Sequence, residues 1–181
     1  MKWPVALLLL LLCHAQAAQA GEIQQVSVTR QGPIYSINFL VLIERELSQV
    51  RSRLLEHQRF HELSDMVLVS KHLRENQTNL RQLEVRACLI FFCPEFVVRE
   101  RIDPGPDGFT ATVIPDHSDF YSGVSHWLLT SDRPGQTTLT FNSILEPKFW
   151  IPPLIGPWYL EKRLTRELGI LIERVETDDQ R

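Results

Sequence analysis

The side chains best suited to acid–base chemistry are crowded into one short stretch, Asp116-His117-Ser118-Asp119. Two carboxyl groups beside an imidazole can transfer a proton or bind a metal ion. Asp and Ser also bond readily to nearby backbone groups, and Pro115 directly before them favours a turn. We therefore interpret this stretch as a capped turn.

Two histidines offer a second candidate for chemistry. His57 and His61 stand four residues apart, a spacing that puts both side chains on one face of a helix, where they can share a metal ion. Gln58 stands where the zinc-protease motif requires Glu, and no third ligand is evident, so a solvated helix face is the better interpretation. Because the sequence also lacks a nucleophile elbow and a phosphate loop, we predict no catalytic residue, no metal ion and no cofactor.

Cys88 and Cys93 are the two cysteines that follow the first twenty residues. The run Leu89-Ile90-Phe91-Phe92 between them has the composition of a strand rather than of a turn. A strand would hold the two α-carbons roughly 16 Å apart, beyond the reach of a disulfide. The sequence therefore predicts two buried free thiols and no disulfide within the chain.

Aromatic side chains concentrate in residues 146–158, which we call the aromatic hinge because the apolar periodicity changes there from strand-like to helical. Four prolines keep the hinge extended and outside a sheet, so Phe149, Trp150 and Trp158 must pack against something else. Two interpretations remain open. The aromatic side chains plug one end of the core, or they form a portal for an apolar ligand and touch a membrane interface.

The elements around the hinge are mostly strands. Residues 26–43 are predicted to form a hairpin or one long bent strand, followed by a helix from Glu44 and a short second helix at 60–65. Further strands are predicted at 66–74, 80–93, 96–102, 109–114, 121–130 and 136–145. Leu160, Leu164, Leu168, Leu171 and Val175 recur at helical steps, which predicts a long C-terminal helix with one apolar face.

Short connections between these strands favour an antiparallel meander that twists around the C-terminal helix. On three of the strands, alternation places apolar side chains on one face, and these faces could bury that helix. They begin at Leu83, Tyr121 and Leu139. A sheet that grips one helix leaves an elongated apolar cavity between them, and this is where a ligand is expected.

The N-terminal residues have the form of a cleavable export signal. Lys2, an apolar run at 5–12 and Ala18-Gln19-Ala20 before Gly21 predict removal of residues 1–20. Residues 21–181 are then long enough for a single domain, with a disordered tail at 176–181, and we expect a periplasmic or secreted location. The 19 basic and 22 acidic residues are interspersed, so the sequence lacks the basic surface that binding to nucleic acid requires.

The order of these elements, together with two groups of motifs, resembles that of a known superfamily. Ser118-Asp119-Phe120 followed by Gly123 and Trp127, and Glu146-Pro147 followed by Phe149-Trp150 and the run 152–157, are similar to the START-like superfamily of polyketide cyclases and lipid-transport proteins. Its exported, coenzyme-Q-binding branch is the most similar. The resemblance spans about residues 22–175. It implies an α+β helix-grip fold, in which a curved antiparallel sheet wraps around a long C-terminal helix, with two short helices after the first strand and an internal hydrophobic cavity.

The first functional hypothesis is therefore a non-enzymatic carrier of a hydrophobic small molecule such as a lipid or a quinone-like or isoprenoid compound. The second hypothesis is a cyclase or hydrolase that acts on such a molecule through Tyr121, Asp119 or His117. The third is an envelope interaction module with a closed core. A homodimer and a transient contact with a membrane surface remain open. The predicted ligand-binding side chains are Leu83, Val85, Leu89, Phe91, Phe109, Tyr121, Trp127, Phe141, Phe149, Trp150 and Trp158.

Overall fold

The chain folds into one eight-stranded antiparallel sheet that curves around a long helix. The computed structural model describes residues 21–75, 78–88, 93–152 and 156–177. The predicted signal, residues 1–20, and the end of the predicted tail, residues 178–181, lie outside the described residues. Within the described part of the chain, no helix is long and apolar enough to cross a membrane.

The sheet is an open meander in which the first hairpin has been added to one edge. Its strands are β1 Glu22–Gln31, β2 Ile34–Ile43, β3 Val67–Glu75, β4 Thr78–Arg86, β5 Glu95–Gly105, β6 Gly108–Val113, β7 Phe120–Thr130 and β8 Thr137–Pro147. The spatial order is β1-β2-β8-β7-β6-β5-β4-β3, so β1 and β3 are the two edges. Of the two sequence-based alternatives for residues 26–43, the hairpin is therefore confirmed.

Three helical segments close the concave face of the sheet: α1 Leu47–Leu55, a 3₁₀ segment His57–Leu63 and α2 Gly156–Thr177. A short 3₁₀ turn, Pro115–His117, is exposed between β6 and β7. Leu168, Leu171, Ile172 and Val175 of α2 are buried in the core, which confirms the predicted apolar face of the C-terminal helix. Because α2 continues to Thr177, the first two residues of the predicted disordered tail are helical.

The C-terminal end of α2 is tied to the start of the sheet by one carboxylate. Glu176 Oε1 accepts hydrogen bonds from the backbone N–H groups of Gly21, at 2.9 Å, and Glu44, at 2.8 Å. The side chain of Arg45 also donates to the backbone oxygen of Glu176. Gly21 leaves no space for a side chain, since an added Cβ would lie 2.4 Å from the Leu42 carbonyl oxygen and 2.6 Å from Ile172. These contacts fix the edge strand β1 against α2.

The prediction of two free thiols is wrong, because Cys88 and Cys93 form a disulfide. β4 ends at Arg86 and β5 begins at Glu95, and the backbone N–H of Ala87 donates to the oxygen of Pro94. The chain therefore reverses direction where a continuous strand was predicted, and the two α-carbons lie 3.8 Å apart across the hairpin. The apolar composition of residues 89–92, which lie outside the described residues, had indicated a strand.

Tyr121, a predicted ligand-binding residue, does not face the interior. The pairing of β7 with β8 shifts between Phe120 and Ser122, which is the signature of a β-bulge. Phe120 consequently points into the core, whereas Tyr121 is 60% exposed. Beyond the bulge the predicted alternation is correct, since Gly123, Ser125 and Leu129 are buried.

Candidate functional site

A cavity of about 200 Å³ opens at one end of the concave face, beside the aromatic hinge. β2, β5, β7, β8 and α2 all contribute to its wall, together with Met66 and the two residues that flank the disulfide. The lining residues are Tyr35, Ile37, Met66, Ala87, Pro94, Phe96, Val98, Phe120, Leu145, Pro147, Phe149, Trp150, Ile151, Leu160, Arg163 and Leu164. Fourteen of these sixteen side chains carry neither a charge nor a hydroxyl group, so the wall favours an apolar occupant.

Strand periodicity explains why these side chains converge. On β2, Tyr35 and Ile37 line the cavity, and the next inward residue, Phe39, belongs to the packed core. On β8, Leu145 and Pro147 line it, whereas Phe141 and Leu139 are core residues. The cavity therefore occupies one end of the concave face, and the rest of that face is filled.

Aromatic side chains fill that part of the interior. The Trp127 ring lies 4.6 Å from the Phe141 ring, 5.3 Å from the Phe109 ring and 6.1 Å from the Phe39 ring, measured between centroids. Phe60 closes the cluster from the 3₁₀ segment, 6.2 Å from Trp127. Aromatic pairs at these distances pack closely and leave no room for a ligand. The cavity is therefore shorter than the elongated one predicted.

Within the described residues, the structure divides the predicted ligand-binding set into three groups. Phe149 and Trp150 line the cavity. Leu83, Val85, Phe109, Trp127 and Phe141 lie in the core cluster instead. Tyr121 and Trp158 are exposed on the surface. Leu89 and Phe91 lie outside the described residues.

The aromatic hinge contains both a plug and an exposed rim. Phe149 stacks on Phe96, with centroids 5.0 Å apart, and meets the edge of Phe120 at 5.5 Å, so it closes the end of the core. Trp150, which lines the cavity, is nevertheless 75% exposed, and Trp158 in the first turn of α2 is 64% exposed. The Lys162 ammonium lies 5.7 Å from the centre of the Trp158 ring. The plug interpretation therefore holds for Phe149 only.

Two polar side chains interrupt the apolar wall. Tyr35 is 4% exposed, and the Arg30 guanidinium lies 5.7 Å from the centre of its ring. Burial raises the pKa of Tyr35, an effect that the nearby Arg30 guanidinium opposes, so the phenol stays protonated at neutral pH. Arg163, from α2, forms an ion pair with Glu167 at 3.0 Å, while its Nε is buried without a partner in the described structure.

The stretch 116–119 contains the predicted turn, but its Ser118 and Asp119 side chains bond to β5 and do not cap the turn. Ser118 Oγ accepts a hydrogen bond from the Arg99 backbone N–H at 2.7 Å and donates one to the Arg99 oxygen at 3.0 Å. Asp119 Oδ2 accepts one from the Val97 N–H at 2.6 Å. These side chains satisfy backbone groups of β5 beside its pairing with β6, so they are engaged in holding the sheet together.

The two histidines of the possible metal pair face different surroundings. His61 is hydrogen-bonded through Nδ1 to the oxygen of Gln58 at 3.1 Å, on the surface. His57 is turned towards His72 of β3, with ring centroids 5.1 Å apart. Burial, Arg81 and His72 together lower the pKa of His57 to about 4, so its imidazole is neutral at pH 7. Among the described residues no group of three or more His, Cys, Asp or Glu side chains could hold a metal ion.

Comparison with solved structures agrees with this architecture. A STAR-related lipid transfer protein fragment from Xanthomonas axonopodis superposes with a TM-score of 0.65 at 16% sequence identity, over 87% of this chain and 99% of that one. The START-like helix-grip fold is confirmed. The Zhui aromatase/cyclase from a Streptomyces species has a TM-score of 0.60 at 13% identity, over 82% of this chain and 94% of that one. A START superfamily protein from Mycobacterium smegmatis has a TM-score of 0.63 at 15% identity, over 78% of this chain and 97% of that one.

The likeness is one of fold rather than of sequence. No protein-family model matches the chain, and no curated protein sequence matches it either. The solved START-type structures include both a lipid transfer protein and an aromatase/cyclase, so the fold alone leaves binding and catalysis open.

Sequence reasoning missed most of the cavity wall. Tyr35 and Ile37 alternate with the core residue Phe39 on β2, and this period could have placed them on the inner face. Leu160 and Leu164 were recognised as the apolar face of α2, but not as cavity residues. Ala87 was hidden by the mistaken strand predicted at 80–93, Phe96 was placed on a strand but not at the cavity, and Arg163 gave no signal among the other charges of α2.

Proposed function

We propose that this protein binds and carries a hydrophobic small molecule in the cavity between the sheet and α2. The observation that carries the proposal is the wall itself, to which five strands or helices contribute apolar side chains around an unfilled space of about 200 Å³. Protein interiors are close-packed, so an apolar space of this size beside the core is a candidate site for a ligand. Burial of apolar ligand surface, at about 25 cal/mol per Å², supplies the driving force.

The volume limits what the cargo can be. Sites for drug-sized ligands enclose about 300–1,000 Å³, and this cavity lies below that range. A complete diacyl lipid or a long isoprenoid chain therefore does not fit inside. The cargo is either a small apolar molecule or one end of a larger one, whose remainder passes the exposed indole of Trp150 at the rim.

The composition of the wall favours binding over acid–base catalysis. Among the described residues that line it, Tyr35 and Arg163 are the only ionisable side chains. Since burial raises the pKa of Tyr35, this residue is a poor base near neutral pH. His117 and Asp119, the acid–base candidates from the sequence, do not line the cavity. A cyclase or hydrolase that works through those two residues is therefore disfavoured.

We also propose that the protein acts outside the cytoplasm, next to a membrane. The signal-like sequence at 1–20 supports export. A disulfide between Cys88 and Cys93 is a bond that persists in oxidising compartments, such as the periplasm or the exterior. Trp150 and Trp158, both exposed within the aromatic hinge, are side chains that favour the boundary between water and lipid. Contact there would let the cargo pass between membrane and cavity.

Displacement of a fluorescent apolar probe, N-phenyl-1-naphthylamine, tests the proposal. Leu164 lines the cavity from α2, so Leu164→Trp should fill the space and weaken probe binding at least tenfold. Thr165→Trp adds the same side chain to an exposed position of the same helix and should leave binding unchanged. Equal binding by Leu164→Trp and wild type, with both variants folded by circular dichroism, would contradict the cavity as the binding site.

A further inference from the structure

The inward side chains of the sheet form successive rows across neighbouring strands, and these rows fix the depth of the cavity. The first row contains Tyr35 and Leu145, which line the cavity and face each other across β2 and β8. The second contains Ile37, which also lines the cavity and lies opposite Ser143. The third begins at Phe39, which is buried and belongs to the packed core. The cavity therefore ends between the second row and the third.

The third row is a continuous wall of aromatic rings, which we call the aromatic wall. Its members are paired across four strands, Phe39 with Phe141, Phe141 with Trp127, and Trp127 with Phe109. The rings of Phe39 and Phe141 are stacked, with centroids 4.5 Å apart. Because two residues along an antiparallel strand span about 7 Å, the aromatic wall lies roughly that far beyond the row of Ile37.

The helix and β5 also end in packed structure at the inner end of the cavity. Leu164 of α2 lines the cavity, whereas Leu168, one turn further along, is a core residue. On β5, Val98 lines the cavity, and the next inward residue, Glu100, is buried and accepts a hydrogen bond from Arg81 Nε at 2.7 Å. A hydrocarbon chain that went deeper would have to separate close-packed rings or break a buried ion pair, and both are costly.

We propose that the aromatic wall limits the length of hydrocarbon that the cavity accepts, and that Phe39 sets this limit because it follows the lining residue Ile37 on the same face of β2. This inference rests on the proposed binding function and deepens it, since it names the class of cargo. The cargo is a molecule with a short hydrocarbon end, whose polar end stays at the mouth beside Trp150. A cavity of about 150 Å³ holds benzene, so this one, at about 200 Å³, takes roughly six to eight carbon atoms.

Straight-chain primary alcohols from butanol to dodecanol test the proposal, with affinities measured by displacement of N-phenyl-1-naphthylamine. For wild type, affinity should rise roughly fourfold with each methylene group that enters the cavity. It should stop rising near octanol, because the further methylene groups remain in water at the mouth. The chain length at which affinity stops rising is the quantity to compare between variants.

Substitutions on β2 should move this chain length in both directions. Phe39→Ala removes a phenyl ring and should extend the limit by about three methylene groups, and Phe39→Leu, which disturbs the core less, should extend it by about one. Ile37→Phe fills part of the second row and should shorten the limit. Phe109→Leu is the matched control, because Phe109 belongs to the same wall but lies on β6, which contributes none of the described lining residues. Its limit should stay near octanol.

The position of the limit distinguishes a length-setting residue from one that only stabilises the fold, since general destabilisation weakens the binding of every alcohol alike. Affinity that continues to rise up to dodecanol in wild type would overturn the inference. An unchanged limit in Phe39→Leu, with the variant folded by circular dichroism, or an equal shift in Phe109→Leu would also overturn it. Failure of wild type to bind the probe or any of the alcohols would instead overturn the proposed function itself.

Discussion

His57 shows how burial changes the chemistry of a single residue here. Its ring is packed against His72 and lies near Arg81, which in turn is paired with Glu100 at 2.7 Å. A protonated imidazole would be poorly hydrated in this position and would face another positive charge. The histidine that first suggested a metal site is therefore held neutral by its surroundings.

The lowered pKa of His57 predicts a pH dependence of stability. Between the unfolded pKa of 6.5 and the folded value of about 4, the unfolded chain binds more protons, so stability falls as the pH falls through this window. Because the ring is only partly buried, the loss should be roughly 1–2 kcal/mol. Urea unfolding at pH 7, 6, 5 and 4 measures it.

Two variants, His57→Asn and His61→Asn, test whether His57 causes this pH dependence. His57→Asn should flatten the pH dependence of the unfolding free energy. His61→Asn, four residues away on the surface, is the control for the loss of an imidazole. The same slope in wild type and His57→Asn would contradict the assignment.

Among the elements, the β4–β5 hairpin affects the cavity most directly. Ala87 and Pro94 line the cavity next to the disulfide, and Tyr159 of α2 donates its hydroxyl to the Cys88 oxygen. The disulfide therefore links the end of this hairpin, the cavity wall and the start of the C-terminal helix. It belongs to the framework of the site, although no chemistry is assigned to it.

Reduction of this disulfide should destabilise the protein by about 2 kcal/mol, the loop-closure contribution expected for a six-residue loop. Affinity for N-phenyl-1-naphthylamine should also fall, because two cavity residues flank the bond. Urea unfolding and probe titration with and without dithiothreitol measure both effects. The double variant Cys88→Ser, Cys93→Ser is the control, since it should behave as the reduced protein and ignore dithiothreitol. A reduced wild type as stable as the oxidised one would contradict the prediction.

At the scale of the whole molecule, the cavity and its exposed rim lie at the same end of the sheet. The core of Trp127 and its aromatic neighbours closes one end of the concave face, so the cavity is adjacent to the hinge where Trp150 is exposed. A molecule that meets a membrane through this end would bring the mouth of the cavity to the lipid. In the opposite orientation, the filled end of the sheet would face the membrane.

This orientation predicts vesicle binding that depends on the two exposed indoles. The variant Trp150→Ala, Trp158→Ala should bind vesicles of phosphatidylcholine and phosphatidylglycerol roughly tenfold more weakly, since partial burial of two indoles contributes on the order of 1–2 kcal/mol. Sedimentation with vesicles measures the change. The matched control is Leu128→Ala, Ile144→Ala, which removes exposed apolar side chains from the outer face of the sheet. Equal losses in both variants would contradict a specific role for the hinge.

The sequence by itself determined the class of the fold, because that information is local. Alternation in β2 and β6 to β8, the three- and four-residue steps of α2 and the prolines of the hinge each reflect backbone geometry over a few residues. The interior positions of Phe141 and Leu168 could be predicted in the same way. The turn after β6 could also be predicted from Pro115 and the Asp and Ser residues that follow it, but the bonds of Ser118 and Asp119 to β5 could not, because they join residues about twenty positions apart.

The tertiary structure alone decided the site, because its features depend on contacts between distant residues. Whether Cys88 meets Cys93 is decided by where β4 stops and β5 begins, which apolar composition does not reveal. A one-residue bulge reverses Tyr121, since side chains alternate with a period of two. Tyr35 and Arg163 are 128 positions apart and meet the same cavity only because α2 packs across β1 and β2. How much of the interior is empty depends on packing, which is a property of all the side chains together.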